Sequence, residues 1–296
     1  MHNIPFFSII IPTYNRAYTI GDSIHSILAQ NYEDFEVIIV DDGSTDDTRA
    51  TVDHFKDPRI QYVRIDNSER GVARNVGIKK ARGEYITFLD SDDVLYSNHL
   101  SRARQICEER AFPEMFRIAF EIKDQQGRII EQSVLHENTV NNALIYGNIL
   151  ACLGVFIKAE IIKEFLFIED RRLAGTEDYE LWLRLGSRFS IWNDNTITAA
   201  IMHHENRSVT QQDIPQLIQR IQLFIQYVFS DRRNEQVYSD KKNFFKALRY
   251  SYIALHAALA RKKDIGLHYL YKAFVNYPLI VVYKRFYIII FKLIVN

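Results

Sequence analysis

Glu84 to Asp93 reads Glu-Tyr-Ile-Thr-Phe-Leu-Asp-Ser-Asp-Asp, so an apolar strand runs straight into three carboxylates, Asp90, Asp92 and Asp93. Carboxylates this close raise one another's pKa unless a cation lies among them. A hard divalent ion such as Mn²⁺ or Mg²⁺ answers that need, because it prefers oxygen ligands and completes its shell with water and substrate phosphates. A solvated acidic turn capping the next helix is the competing reading. Three further polar clusters bear on the choice. Pro12-Thr-Tyr-Asn-Arg16 offers an aromatic ring, Tyr14, and hydrogen-bonding side chains where a base and ribose could lie, although a turn capped by Asn15 would look the same. In Asp41-Asp-Gly-Ser-Thr-Asp46 a carboxylate could accept from a base N–H or ribose hydroxyls while Gly43 turns the chain. Arg70-Gly-Val-Ala-Arg-Asn75 sets two guanidinium groups just before the acidic strand, suited to phosphates or else to a solvated helix face.

These clusters need a scaffold that brings them together. Apolar runs at Phe6–Ile11, Phe35–Val40, Ile60–Ile65 and Tyr85–Leu89 alternate with helical periodicity, such as the stripe Ile20, Ile24, Ile27, Leu28. That alternation predicts an α/β fold with a parallel sheet and crossover helices, the second helix capped by Ser44 or Thr45. Open sheets of this kind bind ligands at the carboxyl ends of their strands, where the polar clusters stand. Met115–Ile122 and Arg128–Leu135 read as a hairpin turned at Asp124–Gly127, a helix follows Gly175, and everything after Asp213 reads as helical.

Five stretches in order resemble family-2 glycosyltransferases: Phe6 to Arg16, Val40 to Thr48, Gly71 to Ile78, Gly83 to Asp93, and Gly175-Thr-Glu-Asp-Tyr-Glu-Leu-Trp-Leu-Arg-Leu185. The resemblance implies the GT-A fold, a Rossmann-like mixed sheet flanked by helices, over residues 1–212, with a helical C-terminal region at 213–296. Residues 1–95 would form the nucleotide-binding half and 96–212 the acceptor-side half. It implies donor binding by Pro12, Tyr14, Asn15, Asp42, Arg70, Arg74, Asn75, Asp90 and Asp92. Asp92 would be the principal ligand of Mn²⁺ or Mg²⁺, with Asp90, Asp93 and His204 nearby; the doubled His203-His204 leaves the register of the last open. The family's general base falls on Asp178, with Glu177 and Trp182 on the acceptor side. Read without the resemblance, Glu177 and Asp178 are two acids at the positive end of a helix dipole, with Leu181, Trp182 and Leu185 as its buried face.

The expected activity is therefore inverting, metal-dependent transfer of a sugar from a nucleotide donor, a UDP-sugar, to a glycan or lipid-linked acceptor in cell-surface polysaccharide synthesis. Two rivals remain: a non-catalytic nucleotide-sugar or glycan-binding module, and an aspartyl phosphotransferase built on Asp90-Ser-Asp92. The second would want its acidic strand first in the fold, not fourth. The lack of GxGxxG after the first strand argues against a dinucleotide-binding dehydrogenase.

Composition adds a partner. The formal net charge is zero, yet Lys241–Asn296 carries 11 Lys and Arg against the single acid Asp264, which leaves, by subtraction from 37 and 37, 26 basic and 36 acidic residues before it. An acidic body argues against nucleic acid. Tyr277–Val295 is apolar but holds Lys284 and Arg285 at its centre, so lying in a membrane interface is cheaper than spanning it. Arg285 and Lys292 are expected on one side of that helix, facing an anionic leaflet. The expected location is cytoplasmic, peripheral on the inner face of the plasma membrane; core packing or a homo-oligomer is the alternative use of the tail. Cys107 and Cys152 have no partner spacing and are expected to be inert thiols, and the N-terminus carries no signal-peptide pattern.

Overall fold

Phe7–Thr13 (β1) and Phe35–Asp41 (β2) are buried along their whole length, as near-continuous apolar runs must be when a parallel strand is covered on both faces. In this computed structural model, residues 4–203 and 213–295 are described. Contacts divide the chain into two units, the first drawn from Met1–Asn142, Asn148–Arg171 and Phe189–Glu205 and the second from Ala143–Gly147, Arg172–Arg188 and Asn206–Asn296. The helix after Gly175 thus groups with the C-terminal helices, so the units do not follow a single cut after residue 212.

In the first unit the chain runs β1, α1 (Ile20–Leu28), β2, α2 (Thr48–Asp53), β3 (Ile60–Arg64), α3 (Arg70–Lys80), β4 (Tyr85–Phe88), β5 (Val94–Leu95), α4 (His99–Glu109), β6 (Met115–Ile118), β7 (Glu121–Lys123), β8 (Ile129–Gln132), β9 (Val155–Lys158) and α5 (Ala159–Glu164). It returns at β10 (Ile191–Asp194) and β11 (Ala199–Met202). Among the described residues the larger sheet has seven strands in the order β10-β6-β9-β4-β1-β2-β3, and the smaller has four, β5-β11-β7-β8. β1 pairs in parallel with both β2 and β4, while β9 runs antiparallel to β4 and β6. The chain steps outward from β1 to β3, then crosses to β4 on the other side of β1. The loops after β1 and β4 therefore flank the point where strand order reverses, the usual ligand crevice of an open α/β sheet.

Small residues let α3 make that crossover close to the sheet. A Cβ on Gly77 would stand 2.4 Å from Ile10 Cγ2, inside any permissible contact. Beneath it Phe116 and Phe156 stack at 5.0 Å, and Phe7 meets Phe156 edge-on at 5.5 Å.

Two local expectations are corrected. The second helix starts at Thr48, with Asp47 preceding it, because Ser44 and Thr45 are engaged with Asn15 instead of capping. The stretch Met115–Ile122 breaks into β6 and β7, which belong to different sheets; the hairpin of β7 and β8 stands, turned by Asp124 Oδ1 on the Gln126 and Arg128 amides.

The second unit carries α6 (Glu177–Gly186), α7 (Ile214–Ser230), α8 (Arg232–Tyr238), α9 (Lys242–Leu259), α10 (Lys263–Asn276) and α11 (Lys284–Val295). Tyr179, Phe224 and Phe245 make an aromatic core between α6, α7 and α9, with neighbouring centroids 5.0 and 5.7 Å apart. Asp231 caps α8 through the Arg233 and Asn234 amides and pairs with Arg188 at 2.8 Å. No helix of the described residues is long and apolar enough to cross a membrane. The apolar tail is not one helix: a 3₁₀ turn at Pro278–Val282 precedes α11. Arg285 and Lys292, seven apart on α11, share a side of that helix, where Arg285 is exposed and its guanidinium also reaches Ser251 Oγ on α9 at 3.5 Å; desolvation and the neighbouring Arg249 lower its pKa.

Candidate active site

The loops after β1 and β2 are tied together by reciprocal hydrogen bonds. The Asn15 amide donates to Ser44 Oγ at 2.9 Å, and the Thr45 amide donates to Asn15 Oδ1 at 2.8 Å. Arg16 N–H reaches Thr48 Oγ1 at 2.9 Å and Ala17 N–H reaches Asp46 Oδ2 at 3.1 Å. Asn15 adopts φ 50°, a left-handed conformation that asparagine tolerates. Asn15 is thus the latch of the two loops. Beside it Tyr14 is 45% exposed at the tip of β1, free to offer its ring face to a ligand. Pro12 is buried within β1 in register with Val40.

Asp41 and Asp42 hold the next layer. Asp41 accepts from the Ser44 amide at 2.7 Å and from the Tyr62 hydroxyl; burial and that bond push the Tyr62 phenol up to about 12. Asp42 is 5% exposed and accepts from the Ser68 and Glu69 amides at 2.6 and 2.9 Å. Burial raises its pKa against the pull of those two amides. It fixes the segment Asn67–Glu69 that feeds α3, where Glu69 stands at φ 82°. A carboxylate has about four lone-pair sites, so a base or ribose donor can share it.

The acidic motif is met by arginines from two sides. Arg74, its side chain only 2% exposed, donates to Asp90 Oδ1 at 2.8 Å. Asp90 remains 31% exposed and Asp92 12%, with Arg16 Nε 3.7 Å from Asp92 Oδ2. Arg70 sits half-buried at the start of α3. Asp93 behaves differently. It is 1% exposed, accepts from the Met202 amide at 3.0 Å, and its carbonyl takes the Ser23 hydroxyl at 2.7 Å. Asp93 therefore stitches the motif to β11 and α1. Among the described residues no three His, Cys, Asp or Glu side chains form a metal-holding group. The hard oxygen donors of Asp90 and Asp92 fit an ion that takes most of its shell from water and phosphate.

Asn75, expected at the donor, is held by the fold. It is 1% exposed, its Oδ1 accepts from Phe167 N–H at 2.9 Å, and its Nδ2 donates to Phe167 O and to Glu169 Oε1, both at 2.9 Å. It positions the segment 167–169. Two arginines lay outside the expected set. Arg16 was a mere neighbour of Asn15 in the sequence, and Arg171, which pairs with Glu69 at 3.1 Å, has no periodicity to announce it. Only the cationic residue type could have marked either.

In the second unit, α6 opens with Glu177 and Asp178. Glu177, 4% exposed, accepts from the Gly175 amide at 2.6 Å, where Gly175 has φ 93°. It closes its own turn. Asp178 is half-buried. Trp182, expected on the acceptor side, is fully enclosed, as are Leu181 and Leu185. His203 is exposed, its amide bonded to Lys123 O at 2.7 Å; His204 lies outside the described residues.

Residues 8–125 match the model of glycosyl transferase family 2. A glycosyltransferase of Rickettsia bellii is 36% identical over 191 residues, which are 61% of this chain and 26% of the relative. The chain spans about a quarter to a third of the three Rickettsia relatives it first matches. The UDP-Glc:alpha-D-GlcNAc-diphosphoundecaprenol beta-1,3-glucosyltransferase WfgD of Escherichia coli is 34% identical over 193 residues, 65% of this chain and 72% of that protein. Among solved structures, S. aureus TarS 1-349 in complex with UDP-GlcNAc superposes with a TM-score of 0.61 at 19% identity, over 92% of this chain and 91% of that one. The fold is thus GT-A.

Proposed function

The chain belongs to glycosyl transferase family 2, and from that premise we propose that it transfers a sugar, with inversion, from a UDP-sugar to a hydroxyl of a lipid-linked or glycan acceptor in cell-surface polysaccharide synthesis. The observation that carries this reading is the pairing of Asp90 with Arg74 and of Asp92 with Arg16 at the reversal of strand order between β1 and β4. Exposed Tyr14 beside it suits a nucleotide base. A UDP-sugar and a diphosphoundecaprenol acceptor appear in the name of WfgD, and UDP-GlcNAc in the TarS complex. The expected catalytic domain at 1–212, with its helical region beyond, is kept as part of the same proposal.

In this reading Asp90 and Asp92 would hold Mn²⁺ or Mg²⁺, which supplies positive charge to the donor's diphosphate. Arg16, Arg70 and Arg74 add guanidinium donors suited to phosphate oxygens. Asp178 takes the proton of the acceptor hydroxyl as its oxygen bonds to the anomeric carbon. The bond from that carbon to the diphosphate oxygen breaks, and the electron pair leaves on the nucleoside diphosphate. One general base acting from the acceptor side is what a single inverting displacement requires. The enzyme would work peripherally at the cytoplasmic face of the plasma membrane.

An Asp178→Asn variant tests the assignment. Sugar transfer is expected to fall by roughly a hundredfold to ten-thousandfold, while the thermal stabilisation given by nucleotide with Mn²⁺ stays at the wild-type value. Undiminished transfer would remove Asp178 from the chemistry.

A further inference from the structure

Two neighbouring helices of the second unit expose apolar stripes that none of its described residues covers. On α10 the stripe is Leu267, Tyr271, Phe274 and Val275, between 43% and 67% exposed. The spacing i, i+4, i+7, i+8 places them on one side of the helix. The opposite side, Gly266, Tyr269, Leu270 and Ala273, is buried. On α11, Tyr287, Phe291, Ile294 and Val295 repeat the pattern at 59–73% exposure, while Ile289 and Leu293 are buried. The helices are seated together where Gly266 has no side chain, since a Cβ there would meet Leu293 Cδ2 at 2.7 Å. Leu267 from one exposed stripe and Ile294 from the other line a single open groove of about 320 Å³ with Lys263 at its edge. The two stripes are therefore one surface, larger than the scattered apolar residues of an ordinary exterior.

We infer that this α10–α11 face docks on an anionic lipid bilayer, which deepens the lipid-linked acceptor reading and rests on it. Its charge fits one sign of partner. Arg261, Lys262, Lys263, Lys284 and Lys292 attend the two helices, against the one acid Asp264. Four of the exposed residues are Tyr or Phe, whose rings suit the headgroup level. Lysine stems lie along apolar surface while their ammonium groups reach phosphate. The 12 residues of α11 span about 18 Å, short of the roughly 30 Å of hydrocarbon in a bilayer. The helices therefore lie along the interface, not across it. A two-fold contact with a second copy through the same face would bring lysines of one sign against each other, which disfavours that occupant. The structure also changes which residues matter. α10 supplies half the surface, and Arg285, exposed at the start of α11, also reaches Ser251 Oγ at 3.5 Å.

The test is co-sedimentation of the full chain with vesicles of phosphatidylcholine alone or with phosphatidylglycerol, for the wild type and for Tyr271→Glu with Phe291→Glu. Light scattering and nucleotide-dependent melting are followed on the same samples. The wild type is expected to bind the anionic vesicles and to be released between 0.1 and 1 M salt, as screening shortens from about 10 to 3 Å. The double variant should lose roughly tenfold or more of that binding and keep its nucleotide response. No binding by the wild type, or equal binding by the variant, overturns the inference. So does a wild-type dimer that the variant abolishes, which would give the face to a second copy. Vesicle binding without any nucleotide response would instead contradict the glycosyltransferase site and leave this surface standing.

Discussion

Arg74 illustrates how much of the site's electrostatics is set before any ligand arrives. Its guanidinium is buried to 2% exposure and Asp90 is its partner at 2.8 Å, so the strand-end carboxylate already faces a counter-charge. Removing one member of a buried pair leaves the other uncompensated. Because Asp90 keeps a third of its surface in water, Arg74→Met is expected to lower stability by about 2 kcal/mol, less than a fully buried pair would. It should also weaken the melting shift given by nucleotide with Mn²⁺. Urea unfolding with and without ligand separates the two effects, and an unchanged ligand shift would assign Arg74 to stability alone. Asn75 gives the contrasting case. Its amide ties Phe167 and Glu169, so Asn75→Ala is expected to cost about 2–3 kcal/mol by leaving buried backbone groups unpaired. Faster hydrogen exchange at Phe167 would localise the effect. Retained nucleotide binding would mark it as a positioning residue.

At the scale of elements, α3 depends on a close approach that only glycine allows. With a Cβ 2.4 Å from Ile10 Cγ2, Gly77→Ala must push the helix off β1 at a cost of about 1–3 kcal/mol. The shift would reach Arg74 one turn earlier, so stability and nucleotide binding should fall together in the same melting experiment. The elements were also where the sequence could be read most fully. β1 to β4 and α1 lie within two residues of their apolar runs, because a strand buried on both faces and an amphipathic helix each leave a periodic mark. What escaped was non-local. Ser44 resembles a helix cap, but its hydroxyl takes the Asn15 amide 29 positions away. Asn75 and Asp93 resemble ligand-binding residues in their motifs, yet their partners lie 92 and 109 positions on. Trp182 carries no mark that distinguishes a contact surface from a core. The exposed stripe of α10 was hidden for a related reason, since its buried and exposed faces are both apolar and its periodicity is weak.

For the molecule as a whole, the buried groups that the chemistry does not use set the pH range of stability. His99 is enclosed in the first unit, Nδ1 2.7 Å from Thr198 Oγ1 and its ring 5.1 Å from that of Phe156; burial lowers its pKa to about 3. The native state thus refuses a proton that the unfolded chain accepts. Its contribution is intact above the ordinary value of 6.5 and is lost as pH falls toward about 3, at no more than about 1.4 kcal/mol per pH unit. His99→Gln should flatten the acid limb of stability measured between those two values. Cys107 acts at the other end, as burial pushes its thiol up to about 12 from 9.0, so stability present below 9.0 is lost on going to higher pH. The measurement that tests the central claim most directly is thermal unfolding of the full chain with UDP, GDP, dTDP and CMP, each with and without Mn²⁺, for the wild type and for Asp92→Ala. The donor site described here predicts a shift of several degrees for UDP at about a hundred times its dissociation constant, dependent on Mn²⁺ and absent in Asp92→Ala. No shift with any nucleotide, or one that Asp92→Ala leaves untouched, would contradict it and reduce the acidic motif to a turn held by its arginines.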